Sequence, residues 1–485
     1  MDEPARHRDD EGDLERLGYV QELVRKLGGF SSFAIGFSVI SVTTGVTSAF
    51  GDALGAGGGA GLGLGWPLVA CGTLLVALAM AELASAFPTA GALYHWAALL
   101  GGPAWGWSTA MLNLAGQLAI VAAIDLACAQ ALGQVVGWRA AEVTGVYAMI
   151  LAVHGALNAT SVRLVARLND ASAIVQVVGV AVLVGWLFSN GVPRPWGYLA
   201  RAGDTARPDG IYALGFVQAL VLGVWTFTGF DAAAHVSEET HDPGRHAPLG
   251  IVSAVAASAV AGFALVAALT LSVRDWRATA AAPDAALAVL RAALGPQAGR
   301  AAMALVVLAM WFAGLSSMTS ASRMLFAFAR DGGMPMAPAL RRVSVRTRTP
   351  VRATVACVVL PLALVLCTAP FSDAVFLTIA ALATAALYAS YALPIALGAA
   401  ARASGRWTKR GAWNLGRAGL PIAWAALAWT MGVGVVCALA NARAMEALLG
   451  LMAAFAILWR TRVRARFTGP KMDLAHFEQD RRPPS

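Results

Sequence analysis

The chain has 485 residues, of which 58% are hydrophobic and only 13% charged, and its mean hydropathy is +0.65. Soluble domains carry about a quarter charged residues, so this composition excludes a soluble globular protein and places the chain in a lipid bilayer. The net charge of +9 does not indicate nucleic acid, because the arginines fall in short loops between apolar runs, where they set membrane orientation.

In chain order, residues 1–29 form a polar, charged tail, within which Glu15 to Lys26 has the pattern of a short amphipathic helix at the membrane surface. No small-residue cleavage site follows, so a signal peptide is not expected. Apolar runs of about 20 residues then recur, the length a hydrocarbon core of about 30 Å requires. They cover 31–57, 66–87, 104–133, 143–161, 171–189, 211–236, 248–272, 298–328, 351–369, 373–398, 418–440 and 443–460. An even number puts both termini on one side. That side collects Arg163, Arg167, the 341–348 arginines, the 402–410 cluster and the 460–466 arginines, which makes it the cytoplasmic one. The expected organisation is a cytoplasmic tail at 1–29, a transmembrane domain at 30–462 and a second cytoplasmic tail at 463–485. Between the spans, Pro283 to Leu294 reads as a short helix over the outer mouth, and Pro88 to Trp96 as an interfacial or re-entrant segment.

The sixth run carries the strongest signal. At Trp225-Thr226-Phe227-Thr228-Gly229-Phe230-Asp231 a glycine and two threonines weaken the helix, and a carboxylate follows. A charge near the bilayer centre costs roughly 2.5–3.5 kcal/mol, so Asp231 is expected to face protein, a cavity or a ligand. The first run has a matching interruption at Thr44-Gly45-Val46. Paired interruptions in two halves of a membrane protein mark the substrate site of a transporter built from inverted repeats. The expected fold is therefore all-α with twelve transmembrane helices. A five-plus-five inverted repeat (about 31–189 and 211–398) is followed by two extra C-terminal helices at about 418–460.

The chemistry follows from the same residues. Unwinding at Thr44-Gly45-Val46 frees backbone N–H groups and exposes the positive end of a half-helix, which suits a substrate carboxylate. Freed carbonyls of the sixth run and Asp231 suit an ammonium, and Trp225 and Phe227 suit a lid or a cation–π contact. Packing is the competing reading for both aromatics and for Gly45. Asn113 and Gln117, one turn apart, are candidate cavity residues. Ser316 and Ser317 can supply oxygens to a cation, or bond back to carbonyls four residues earlier. Glu82 is a candidate gate or proton residue, against a place in a structural network. His235, Glu238 and Glu239 approach the inner surface, where the two glutamates read as solvated or gate-forming. No cofactor, metal site or enzymatic constellation is expected: the chain has no phosphate-cradling loop, nucleophile elbow or metal pair, and its five cysteines lie within apolar runs.

Three segments carry a family resemblance. These are Gly65-Trp66-Pro67 with Ala79 to Gly91, Thr228-Gly229-Phe230-Asp231 with His235 to Thr240, and Ala321-Ser322-Arg323-Met324 with Ala327 to Gly332. Over residues 20–465 the chain resembles the amino acid/choline transporter family, which includes GABA permeases and belongs to the amino acid–polyamine–organocation superfamily. The resemblance implies a sodium-symporter-like fold. It also implies a carboxylate-binding break at Thr44, Gly45 and Val46, a sixth-helix break at Trp225, Thr226, Phe227 and Gly229, a frequently acidic position at Asp231, and a hydroxyl pair at Ser316 and Ser317. The chain departs from its relatives after Asn169-Asp170, where Gln176 offers no titratable group.

The expected function is a secondary active permease of the plasma membrane. It would move an amino acid or related small amine by alternating access, with proton coupling or exchange favoured over sodium. The competing readings are a permease for choline, polyamines or other organic cations, and a non-transporting amino-acid sensor.

Overall fold

The computed structural model describes residues 22–470 apart from 24, 138–139, 208 and 373. Among the described residues, eleven helices are long and apolar enough to cross a membrane. A twelfth crossing, the sixth in order, is built from the shorter pieces Tyr212–Ala219, Val221–Thr226 and Ala232–His235. The protein is thus a multi-pass, all-α membrane protein with the expected twelve crossings.

One contact fixes the direction of the first and sixth spans. Leu27, just before the first span, pairs with Thr240, just after the sixth, in an isolated parallel bridge. The first span therefore leaves the face that the sixth reaches, the inverted relation expected of the first helix in each repeat. At the far end of the chain Phe467 packs against Tyr94 and Phe328, with ring centroids 6.2 and 6.0 Å apart. Both described ends lie on this face, called the tail face below.

The third, eighth and tenth spans (Pro103–Val136, Pro296–Arg330 and Val375–Ala403) are largely buried, whereas Val351–Phe371 and Ala442–Val463 are mostly exposed on the perimeter. Alanine and glycine on the inner helices let backbones approach closely, as helices in lipid require. At about 1.5 Å per residue, the third and eighth spans are longer than a core of about 30 Å and extend beyond it.

Two expectations need correction. The fifth helix runs from Val162 to Ser189, nine residues earlier than its apolar run. Its first turns carry Arg163, Arg167, Asn169 and Asp170, which hide it from a hydropathy reading, and Ser161 caps it by accepting from Leu164 N–H at 3.2 Å. The expected surface helix at Glu15 to Lys26 lies mainly outside the described residues. Its described end is not helical; there Lys26 and Leu27 N–H both donate to the Glu239 carbonyl at 2.9 Å. The short helix over the far mouth is present as Ala285–Leu294, and Leu93–Gly101 forms a buried helix at the tail face.

Candidate substrate and coupling site

The first span is interrupted, but at Ser41 rather than at Thr44-Gly45-Val46. Ser41 takes a left-handed conformation (φ 37°, ψ 78°) between Gly29–Ile40 and Val42–Gly63. Thr44, Gly45 and Val46 are helical and buried. The hydroxyls of Ser41 and Thr44 lie 2.6 Å apart and Gly45 N–H donates to the Ser41 carbonyl, so the segment expected to unwind is the first turn of the second half-helix. The N–H groups exposed by the break are those of Val42, Thr43 and Thr44, which begin a helix and lack acceptors within it. On the other side of the break, Gln176 Nε2 donates to the Ser38 carbonyl at 3.3 Å. The non-titrating residue of the fifth span thus takes up a carbonyl released by the kink.

Gly45 is a point of close approach between the first and sixth spans. A Cβ placed on it would lie 2.6 Å from Thr226 Cβ and 2.7 Å from Thr226 Cα. This is a packing contact between two backbones, and it brings the start of the second half-helix directly against the sixth-span break.

The sixth span ends its regular helix at Thr226 and turns through Phe227 to Asp231 before Ala232–His235 resumes. Gly229 has φ 84°, a region favoured by glycine. Thr228 donates its hydroxyl to the Trp225 carbonyl at 2.5 Å, satisfying one group released by the break. Gly229 N–H donates to the Tyr391 hydroxyl at 3.2 Å, which in turn donates to Asp231 Oδ1 at 2.8 Å.

Asp231 is the hub of the site. Its side chain is fully buried. Oδ2 accepts from Asn113 Nδ2 at 2.9 Å and from Gln117 Nε2 at 3.1 Å, and lies 3.2 Å from His235 Nε2. Third, sixth and tenth spans are therefore tied to one carboxylate. The sequence placed Asp231, Asn113 and Gln117 in one site, and the structure brings them together. It did not single out Tyr391 as a partner, nor His235, although the spacing of one helical turn from Asp231 to His235 was a usable signal.

The aromatics divide. Trp225 Nε1 lies 3.3 Å from the Ser48 hydroxyl and its ring meets Phe376 edge-on at 5.8 Å. Above them, on the side away from the tail face, opens a cavity of about 420 Å³ bordered by Thr47, Ser48, Asp52, Gln130, Asp284 and Phe376, among others. Trp225 packs behind two residues of its lining, Ser48 and Phe376. Phe227 instead packs on Trp66 at 4.9 Å, inside the core. At the rim, burial raises the Asp284 carboxyl above its ordinary range, against the lowering effect of the hydrogen bond it accepts from Leu287 N–H.

The remaining candidates make contacts of their own. Ser316 donates to Asn169 Oδ1 (2.8 Å) and to the Phe312 carbonyl (3.1 Å), and Ser317 donates to the Ala313 carbonyl (2.9 Å), the back-bonding alternative. Glu82 pairs with Arg402 at 2.5 Å and accepts from Leu415 N–H. Glu238 and Glu239, expected to be solvated or gate-forming, are buried. Arg330 binds Glu238 through two nitrogens at 2.8 and 2.9 Å, and Arg323 binds Glu239 at 2.7 Å. Glu238 also accepts from Ala90 N–H. These pairs join the end of the sixth span to the eighth and seal the tail face.

Two interrupted, antiparallel spans, a vestibule lined by the first of them and a closed opposite face define the architecture of a membrane transporter. The family model for amino acid permeases matches residues 27–459, so the chain belongs to that family, whose members are transporters and not enzymes. The chain is 33% identical to the amino-acid permease BAT1 of Arabidopsis thaliana, over 94% of this chain and 95% of that one. It is 31% identical to the BAT1 homolog of Oryza sativa subsp. japonica, over 88% and 87%. It is also 27% identical to the GABA-specific permease of Saccharomyces cerevisiae, over 70% and 62%.

Proposed function

We propose that the protein is a secondary active permease for an amino acid or a related small amine such as GABA. It works by alternating access in the plasma membrane, with both termini in the cytoplasm and with transport driven by protons or by exchange. The observation that carries this reading is the close approach of the second half-helix of the first span, at Gly45, to Thr226 at the sixth-span break that leads to Asp231. A helix start attracts a carboxylate, while a buried acid and freed carbonyls accept an ammonium, so the two sides together match a zwitterion. Choline and polyamines bring no carboxylate to the helix start.

In this reading the tail face is cytoplasmic and the vestibule opens outward. Its volume falls within the range of about 300–1,000 Å³ typical of ligand pockets. The substrate rests above Trp225 and Phe376 and must displace them to reach Thr44, Thr226 and the hub. The Arg323–Glu239 and Arg330–Glu238 pairs hold the inner side shut until it arrives. Proton coupling is favoured over sodium because a buried carboxylate lies beside an imidazole at the hub.

A thermal-shift screen of the purified protein tests the substrate class, since a ligand bound to the folded state alone raises the melting temperature. We expect stabilisation by one or more amino acids or by GABA, and none by choline or spermidine. Stabilisation by choline or spermidine alone would replace this reading with an organic-cation permease.

A further inference from the structure

His235 is fully buried, and both ring nitrogens face acceptors. Nδ1 lies 3.1 Å from the Ala90 carbonyl oxygen and Nε2 lies 3.2 Å from Asp231 Oδ2. A carbonyl oxygen only accepts, so Nδ1 carries a proton. In a neutral ring Nε2 would then turn a lone pair toward a carboxylate. The contact holds only when one more proton lies between Nε2 and Oδ2. Oδ2 already accepts from Asn113 and Gln117, and Oδ1 from Tyr391, so this proton belongs on nitrogen, and the pair is an imidazolium against a carboxylate.

The surrounding charges are matched elsewhere. Glu238 faces Arg330, Glu239 faces Arg323, and His95 faces Asp331. On the third span, Asp125 faces His154. At the start of the seventh span, Arg245 faces Asp242 and His246 Nδ1 donates to the His241 carbonyl. The first half-helix, Gly29–Ile40, contributes no titratable side chain.

We infer that Asp231 and His235 together form the proton-binding site of this carrier, holding one exchangeable proton that links the hub to the closure of the tail face. The inference rests on the reading of the chain as a proton-linked permease. On release, the Nε2–H bond breaks, its electron pair stays on nitrogen, and the proton passes to water. The pair goes from net neutral to a single negative charge, and the lone pair of Nε2 then faces a carboxylate. Two events relieve that: arrival of a substrate ammonium at Asp231, or movement of Ala232–His235 about the Gly229 turn. The second pulls on the segment carrying Glu238 and Glu239, so proton occupancy and closure of the tail face are mechanically joined.

The test uses the full chain, labelled with ¹⁵N-histidine and reconstituted in liposomes, with His235→Gln to assign the signal. We expect the wild-type His235 ring to carry protons on both nitrogens at pH 7.5, and a single one in Asp231→Asn. In proteoliposomes given the radiolabelled amino acids and GABA, we expect the several-fold stimulation of uptake by an acidic exterior to be lost in His235→Gln. If His235→Gln does not yield a monodisperse protein, His235→Asn supplies the transport comparison and the assignment. A neutral wild-type ring at pH 7.5, or uptake by the variant that follows the proton gradient as steeply as wild type, overturns the inference. Wild-type vesicles that take up nothing would count against the permease reading instead, and the ring signal would still decide the proton site.

Discussion

At the scale of single residues, the site is governed by how few alternatives each buried group has. Tyr391 joins Gly229 N–H to the Asp231 carboxylate through one hydroxyl. Tyr391→Phe leaves both without that partner, and loss of a buried hydrogen bond to a charged group costs about 1.5–3 kcal/mol. We expect a lower melting temperature and weaker uptake; wild-type values for both would show that the hub does not depend on this bond. Gly45 has no room for a side chain against Thr226. Gly45→Ala should therefore destabilise the protein by about 1–3 kcal/mol, as overpacking does, measured by thermal melting of the detergent-solubilised protein. Unchanged stability would place the first and sixth spans further apart than described here.

Asp284 gives a pH-dependent expectation. A carboxyl whose value is raised by burial binds its proton more tightly in the folded chain than in the unfolded one. It therefore favours the fold at low pH, and this contribution is lost as pH rises from the ordinary carboxylate range through the raised value. Asp284→Asn keeps an N-cap of equal quality and removes the charge. It should raise the melting temperature at pH 8 and leave it lower or unchanged at pH 4; a uniform shift at both would mean that the carboxylate is not held against its charge.

At the scale of elements, the sixth span was the most legible part of the chain. Its glycine, threonines and aspartate interrupt an apolar run, and the helix breaks there. The first-span break was displaced by three residues because a Thr-Gly step weakens a helix without obliging it to open. The kink is set instead by Ser41, whose left-handed backbone is stabilised by tertiary surroundings and by its bond to Thr44. The start of the fifth helix was hidden because charged residues at a membrane surface resemble a loop. The tail-face ion pairs were hidden for another reason: pairing across about 90 residues leaves no local pattern, although two arginines one heptad apart in a buried helix were a signal. Breaking a buried pair by removing one partner costs about 3–5 kcal/mol. Glu238→Gln should therefore loosen the closed tail face. A cysteine placed at Ala90, whose N–H donates to Glu238, should then react faster with a membrane-impermeant maleimide applied from the tail side. Equal reaction rates with and without Glu238→Gln would mean that the pair does not hold that face closed.

At the scale of the whole molecule, twelve crossings, an inverted pair of broken helices, a vestibule on one face and ion pairs across the other form the frame of a membrane transporter, on which the proposed alternating-access cycle rests. Membership of the amino acid permease family fixes the general activity, and the hub around Asp231 is the site proposed to exchange substrate charge and a proton. The most direct measurement is uptake of radiolabelled amino acids and GABA into proteoliposomes, with proton and sodium gradients imposed separately. We expect accumulation above that of protein-free vesicles, driven by an acidic exterior or by preloaded counter-substrate and indifferent to sodium. No uptake of any of these compounds, or uptake that needs a sodium gradient and ignores both pH and counter-substrate, would contradict a proton-linked or exchanging amino-acid permease.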